Sequence, residues 1–281
     1  MEDLDRALAL FGVQAFLLAG IVFVPLERLL ALRKDQRVFR DGWRNDLVYI
    51  FVNGAVVRMG VGAALFGAAA LAHGLVPPGL RTTVAAQPYW LQTLAAIVVA
   101  DLGFYAAHRM FHRVPLLWKF HAVHHSIEAL DWLAAARVHP LDQIVTKGVS
   151  LAPLVVLGFA PVPVAIFSAI YFWHSLLLHA NVRLGLGPIS GVIASPAFHH
   201  WHHANEAAAH DTNFAGQLAI LDRLFGTLHL PLGRLPARYG TDMALPQTYL
   251  GQTLYPFARQ EDRGDPLAPP RHPQDIGRCA K

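Results

Sequence analysis

The sequence predicts an all-α integral membrane fold, with about three membrane-spanning helices plus a helical hairpin, capped by a helical histidine-rich site. Three observations carry that expectation. Of 281 residues, 54% are hydrophobic and only 15% charged, and the mean hydropathy is +0.36. Soluble domains carry about a quarter charged residues, so this chain cannot clothe a globular surface in charge. The apolar residues gather in blocks long enough to cross a bilayer, and the 16 histidines, nearly as many as the 19 acids, gather in clusters. One cysteine, Cys279, excludes a disulfide network and a cysteine metal site. A net charge of +4 is too small to mark a nucleic-acid binder.

The first block, Leu8 to Leu32, is nearly continuous, with its first charges at Glu27 and Arg28. Its leader, MEDLDR, is acidic and the run is long, so a span is expected here rather than a cleaved signal sequence. Leu47 to Leu75 follows, broken by Arg58 and His73, and then Tyr89 to Ala107 with a single acid, Asp101. Each block can cross a hydrocarbon layer of roughly 30 Å, which takes about 20 helical residues. Arg28, Arg33, Lys34, Arg37, Arg40 and Arg44 lie between the first two blocks. The positive-inside rule makes that loop cytoplasmic, places the N-terminus outside and brings His108 to the cytoplasmic face.

The fourth stretch, Ile144 to His179, reads as two short helices meeting at Pro161-Val162-Pro163. Histidine clusters flank it on both sides, and only a returning chain keeps both flanks on one face. Three regions follow: residues 1–94 with spans and a basic cytoplasmic loop, 95–230 with the histidines, and 231–281, a Pro- and Gly-rich cytoplasmic tail.

His108 and His112 stand four apart, about 40° round a helix and one turn up, so both can reach one ion. His121, His124 and His125 fall at i, i+3 and i+4, and His199, His202 and His203 repeat that spacing. His200 lies about 100° from His199 and should point elsewhere. Pro115 breaks the helix between the first two clusters. Neutral imidazole is a ligand for Zn, Fe, Cu or Ni. Structural zinc takes four ligands and catalytic zinc commonly three, so eight clustered imidazoles favour two metals. His179 ends the returning arm and makes a ninth candidate; His174, about 140° round from it, ranks below. His139 is a ligand or a group that supports one. His73, His210, His229 and His272 stand outside the clusters.

Asp101 shares a helix face, within about 20°, with His108 and His112. A carboxylate near the end of a membrane helix is costly unless paired, and one that accepts the free N–H of a metal-bound imidazole fixes its tautomer. Asp101 is expected in that role, with Tyr105 on nearly the same face. Spacing does not select among Glu128, Asp131, Asp142 and Asp211, each of which reads as a surface acid.

With these residues in place, the chain resembles the fatty acid hydroxylase/sterol desaturase superfamily of integral-membrane di-iron oxygenases. The likeness runs through Asp101 to His112, Leu117 to Ser126, Arg137 to Asp142, His179 to Val182 and Pro196 to His203. It closes with Asn213 to Gly216 and Leu224 to Thr227, covering about residues 95–230. The resemblance implies a helical membrane fold capped by a cytosolic site holding two irons. It makes His108, His112, His121, His124, His125, His179, His199, His202 and His203 the ligand candidates. Two departures stand out. The family often has Glu where Asp142 follows His139-Pro140, and Asn-Tyr-Gly where this chain has Asn213-Phe214-Ala-Gly216.

The implied chemistry is O2 activation at two ferrous ions and attack on an unactivated C–H bond of a membrane lipid, giving an alcohol or an alkene. No haem, flavin or cysteine-cluster motif is found in the sequence, so an external electron donor on the cytoplasmic side is implied. Two other readings compete. One is a different oxidative use of the site, such as ether-lipid cleavage or carotenoid hydroxylation. The other is a non-enzymatic metal-binding or transport protein, which would favour ionisable residues along the spans rather than beside them.

Overall fold

The apolar runs have nowhere to satisfy their backbone in a bilayer except within helices, and the computed structural model of the chain is all-helical among the described residues. These are residues 13–258, apart from Leu232 and the side chain of His73. The leader, His272 and Cys279 lie outside them.

Helix α1 (Val13–Leu29) buries one narrow stripe, Ala15, Ala19, Phe23 and Glu27, spaced four apart. Phe23 stacks on Trp132 and Trp173, while Leu17, Ile21 and Leu29 face outward. Helix α2 (Trp43–Val48) passes through a wide turn at Tyr49–Asn53 into α3 (Gly54–Leu75). Together they make one rod that begins before the Leu47 expected from hydropathy. A short exposed helix, α4 (Pro78–Ala85), outside the apolar blocks, opens with Pro78 in its first turn. Helix α5 (Tyr89–Arg113) runs past its apolar block to carry His108 and His112. It stops at Val114, whose extended backbone is what a following proline imposes, and α6 (Pro115–His125) starts with Pro115 in its first turn.

The hairpin consists of α7 (Pro140–Leu157) and α8 (Pro161–His179). Its turn is one step earlier than Pro161-Val162-Pro163. Gly158, at φ 82°, ends α7 in a left-handed cap that other residues adopt at a cost, and Pro161 opens the next helix instead of forming the bend. Among the described residues four rods are long and apolar enough to cross a membrane: Trp43–Ala72, Tyr89–Arg113, Pro140–Leu157 and Pro161–His179. Helix α3 packs along α7, and α7 along α5. There the Gly103 backbone lies so close to Val149 that a Cβ would meet its carbonyl oxygen at 2.7 Å. Small residues permit this approach between membrane helices.

Beyond the spans come short helices, α9 (Pro196–His202), α10 (Ala219–Leu224) and α11 (Tyr249–Leu254). The basic loop between α1 and α2 packs against this histidine-bearing end. Arg40 bridges Asp46 and Asp131 at 2.6 and 2.7 Å, and Arg137 joins Asp46 at 2.5 Å. Asp131 is therefore buried in an ion network and not on the surface. Removing one member of such a network costs about 3–5 kcal/mol, because a charge is left buried and unpaired. The segment after residue 230 turns back onto the body. Tyr239 packs on Ile127 and Leu130, and Leu245 on Tyr49 and Val123.

Candidate metal centre

The nine candidate histidines form two groups. His108, His112, His121, His125 and His202 make the first; His124, His179, His199 and His203 make the second. Within each group the ligand atoms lie within 4.8 Å of one another. The two groups share α6 and α9, because each HxxHH cluster divides between them. His121 and His125 point one way and His124 the other; His202 points one way and His199 and His203 the other. Helix α5 serves only the first group and α8 only the second.

Local sequence sets these orientations. Helix α9 begins at Ser195, whose hydroxyl accepts the N–H of Phe198 at 3.2 Å, with Pro196 in the first turn. Most rings are then fixed through Nδ1–H. His108 donates to the Phe214 carbonyl at 2.7 Å, His124 to Arg137 at 3.0 Å, His179 to Ser175 at 2.8 Å and His202 to Thr212 at 2.8 Å. His121 alone donates to a carboxylate, Asp142 Oδ2, at 2.7 Å. A ring that donates from Nδ1 and is neutral keeps a lone pair on Nε2.

Those lone pairs face one another. His108 Nε2 stands 3.0 Å from His121 Nε2, and His125 Nε2 3.1 Å from His202 Nε2. In the second group His179 Nε2 lies 2.9 Å from His199 Nε2 and 3.2 Å from His124 Nε2. His203 Nε2 is 3.1 Å from both His124 and His199. Where both Nδ1 atoms already donate, as in His108–His121 and His124–His179, no proton lies between the Nε2 atoms. Such a pair is repulsive unless a cation sits between its nitrogens. Nitrogens bound at about 2.1 Å and at right angles on one ion stand about 3 Å apart, which matches these spacings. His112 Nε2, His199 Nδ1 and His203 Nδ1 are buried without a hydrogen-bond partner. The donor set thus fits a pair of borderline metal ions of the kind imidazole prefers.

Burial, followed by the neighbouring imidazoles, holds His121, His125, His199 and His203 well below the usual histidine range. His124 and His202 are held low for the same leading reason, despite a backbone acceptor that favours their charged form. Neutral imidazole is the ligating form.

The remaining site candidates fall elsewhere. Asp101 touches no imidazole nitrogen. Its two oxygens accept three backbone N–H groups, from Gly216, Gln217 and Leu218, because the face it shares with His108 meets a loop and not a ring. Tyr105 pairs with Thr227 Oγ1 at 2.9 Å and receives Arg109 at 3.1 Å. His139 caps α7, accepting the Leu141 N–H at Nδ1 and donating from Nε2 to the Thr253 carbonyl, and so stands outside both groups. His174 bonds the Ala194 carbonyl, and His200 lies between Tyr239 OH and the Ala180 carbonyl. His229 sits edge-on to Trp201, away from the groups.

Asp142 is the residue that spacing passed over. It is fully buried in the first turn of α7, where its distance in sequence from His121 hides their contact. Its signal was an acid opening an otherwise apolar span, which demands a partner. Asp211, half-exposed, lies 3.4 Å from His112 Nδ1.

Residues 93–227 match the family model described as fatty acid hydroxylase. The ornithine lipid hydroxylase OlsE of Rhizobium tropici is 34% identical over 174 residues, 62% of this chain and 52% of that protein. The alkylglycerol monooxygenase of Homo sapiens is 34% identical over 133 residues, 47% of this chain and 29% of that protein. The very-long-chain aldehyde decarbonylase GL1-1 of Oryza sativa subsp. indica is 28% identical over 241 residues, 79% of this chain and 36% of that protein. The chain thus spans about half the length of the first relative and less of the other two. No solved structure matches it. The matched region runs from within α5 to just past the end of α10 and holds every one of the nine grouped histidines, and through it the chain is similar to the fatty acid hydroxylase/sterol desaturase superfamily.

Proposed function

We propose that the protein is a membrane-bound di-iron oxygenase that hydroxylates an unactivated C–H position of a membrane lipid. The observation that carries this reading is the convergence of nine imidazoles, five and four, at one end of apolar helices. His108, His112, His121, His125 and His202 would hold one ion, and His124, His179, His199 and His203 the other. Two ferrous ions bound there would supply O2 activation and hydrogen removal from carbon. The balanced reaction takes C–H, O2, two electrons and two protons to C–OH and water, so a donor outside the chain delivers the electrons.

The chain's own share is placement. Backbone carbonyls and Asp142 aim the imidazoles, and burial keeps them neutral and excludes bulk water. The apolar helices let a lipid remain in the bilayer and present one carbon to the centre. Hydroxylation is preferred to desaturation because two relatives are named as a hydroxylase and a monooxygenase. Ether-lipid cleavage remains the second reading, since the name of one relative specifies alkylglycerol. Transport is disfavoured, because the histidines sit together at one end of the spans instead of lining a path. We place the centre on the cytoplasmic side, a reading supported by the basic loop that packs against it through Arg40 and Arg137.

Purified protein should carry two irons per chain. Cells supplied with ¹⁸O2 should gain one labelled oxygen in a lipid, and His124→Ala should abolish that product while membrane insertion persists. Loosely exchanging zinc with no labelled lipid would overturn the proposal, and an unlabelled alkene would turn it to desaturation.

A further inference from the structure

Two largely irregular segments, residues 184–194 and 214–227 (the latter holding the short α10), reach a depth where hydrocarbon is expected. Asp101 precedes His108 by seven residues, about 10 Å along α5, and its carboxylate holds Gly216, Gln217 and Leu218 at 2.9, 3.0 and 2.6 Å. His174 precedes His179 by five residues, about 7.5 Å along α8, and it bonds the Ala194 carbonyl at 2.9 Å. From the opposite ends, Asp101 lies about 18 Å past Tyr89 and His174 about 20 Å past Pro161. Tyr89 and Trp90 are exposed aromatics of the kind that mark a membrane boundary. A layer of roughly 30 Å measured from there ends close to His108. Both segments therefore extend several ångströms into it.

Backbone at that depth finds no water, so its polar groups must be met within the protein. Many of them are. Besides the three donors on Asp101, Asp222 receives the N–H of Phe214 at 2.7 Å and of Ala215 at 2.9 Å. The segments also bond each other, Ala194 N–H to the Gln217 carbonyl at 2.8 Å and Ile220 N–H to the Val192 carbonyl at 3.2 Å. The sequence agrees in most part, with no Asp, Glu, Lys or Arg from 184 to 205 and Asp222 buried on backbone N–H groups. The one exposed charge of the two segments, Arg223, lies beside Gly191 with a side chain long enough to reach the interface. On the outer side Ile189, Val192, Ile193, Leu224 and Phe225 are all exposed, Leu224 by 70%. Apart from Arg223 they make an apolar face of the kind that marks an interaction surface. It continues the outward row of Val98 and Leu102 on α5.

We propose that residues 184–194 and 214–227 form one re-entrant unit embedded among the acyl chains of the histidine-side leaflet. Ile189, Val192, Ile193, Leu224 and Phe225 are its lipid-facing surface, and Asp101 is the anchor that lets irregular backbone stand at that depth. The unit also carries Phe214, whose carbonyl orients His108, so lipid is seated beside the centre on the same piece of chain that shapes it. This rests on the membrane reading of the spans and not on the chemistry.

The test uses the full chain with Cys279→Ser, single cysteines at Leu224 and Ile193 carrying an NBD label, and phosphatidylcholine vesicles. Val98→Cys on α5 and Arg238→Cys on the exposed tail are the references. The Leu224 and Ile193 labels should match Val98, several-fold brighter than Arg238, quenched by doxyl-labelled lipid and insensitive to iodide. Labels that match Arg238 would overturn the proposal and make this face an aqueous docking surface. A Val98 label in water would remove the membrane reading, and this proposal with it. Adding Asp101→Asn should shift the Leu224 label toward water while Val98 stays embedded; an unmoved Leu224 label would overturn the anchor.

Discussion

Asp142 and Asp101 exchange the roles their positions suggest. Asp101 stands on the same face as two histidines, yet that face meets the N–H groups of residues 216–218. Asp142, on another helix, reaches His121 Nδ1 at 2.7 Å and is the only carboxylate within 3 Å of a grouped imidazole nitrogen among the described residues. A carboxylate acceptor strengthens the opposite nitrogen as a donor to metal, and losing such a partner typically costs 10–100-fold in metal affinity or activity. Asp142→Asn keeps the shape and an acceptor oxygen but removes the charge. Metal competition titration should therefore show affinity at the five-histidine group falling about tenfold or more. Asp211→Asn should do much less, because Asp211 is half-exposed and 3.4 Å away. Equal affinity in Asp142→Asn and the parent would show that the Asp142 charge does not tune His121.

At the scale of elements, what places α5 against α7 is contact between backbones. A Cβ on Gly103 would sit 2.7 Å from the Val149 carbonyl oxygen and 3.1 Å from Ser150 Cα, atoms that cannot rotate away. Gly103→Ala must therefore push apart the helices that carry His108 and Asp142. Overpacking of this kind costs about 1–3 kcal/mol, so the unfolding midpoint in detergent should drop. Gly62→Ala on α3, where nothing lies within 4 Å, should be neutral or gain up to about 1 kcal/mol from helix propensity. If both variants behave alike, close approach does not limit this interface. These contacts mark where the sequence stopped being readable. Block lengths disclosed the rods, and i, i+3, i+4 spacing disclosed which imidazoles cluster, because both follow from the pitch of a single helix. The division of each HxxHH cluster between two groups, the hydrogen bond from His121 to Asp142 and the loop on Asp101 depend on how helices meet. One helix cannot encode that. The hairpin turn was missed by only a few residues, since Pro161 and Gly158 both mark a chain reversal and only backbone conformation tells which one bends.

For the molecule as a whole, gathering so many imidazoles into a dry centre ties stability to pH. His121, His124, His125, His199, His202 and His203 are all held well below the usual value of 6.5, chiefly by burial. Below about pH 6.5 an unfolded segment binds protons that the folded one cannot, so the folded state loses ground as pH falls. Each such histidine contributes up to about 1.4 kcal/mol per pH unit in that window. Asp131 and Asp222 act in the opposite direction, since burial raises them and their protonation favours the folded state in acid. Burial holds His139 and His200 low as well, so the histidines outnumber these two acids and dominate. The metal-free protein should accordingly show a thermal midpoint that is level above pH 7 and falls steeply from 6.5 to 5.5. Metal holds the imidazoles deprotonated, because a bound ion competes with protons for the same lone pairs. The loaded protein should therefore keep its midpoint to lower pH and then lose metal and stability together. A metal-free midpoint that stays level through pH 5.5 would mean that these histidines are open to water, and with that the dry centre would fail.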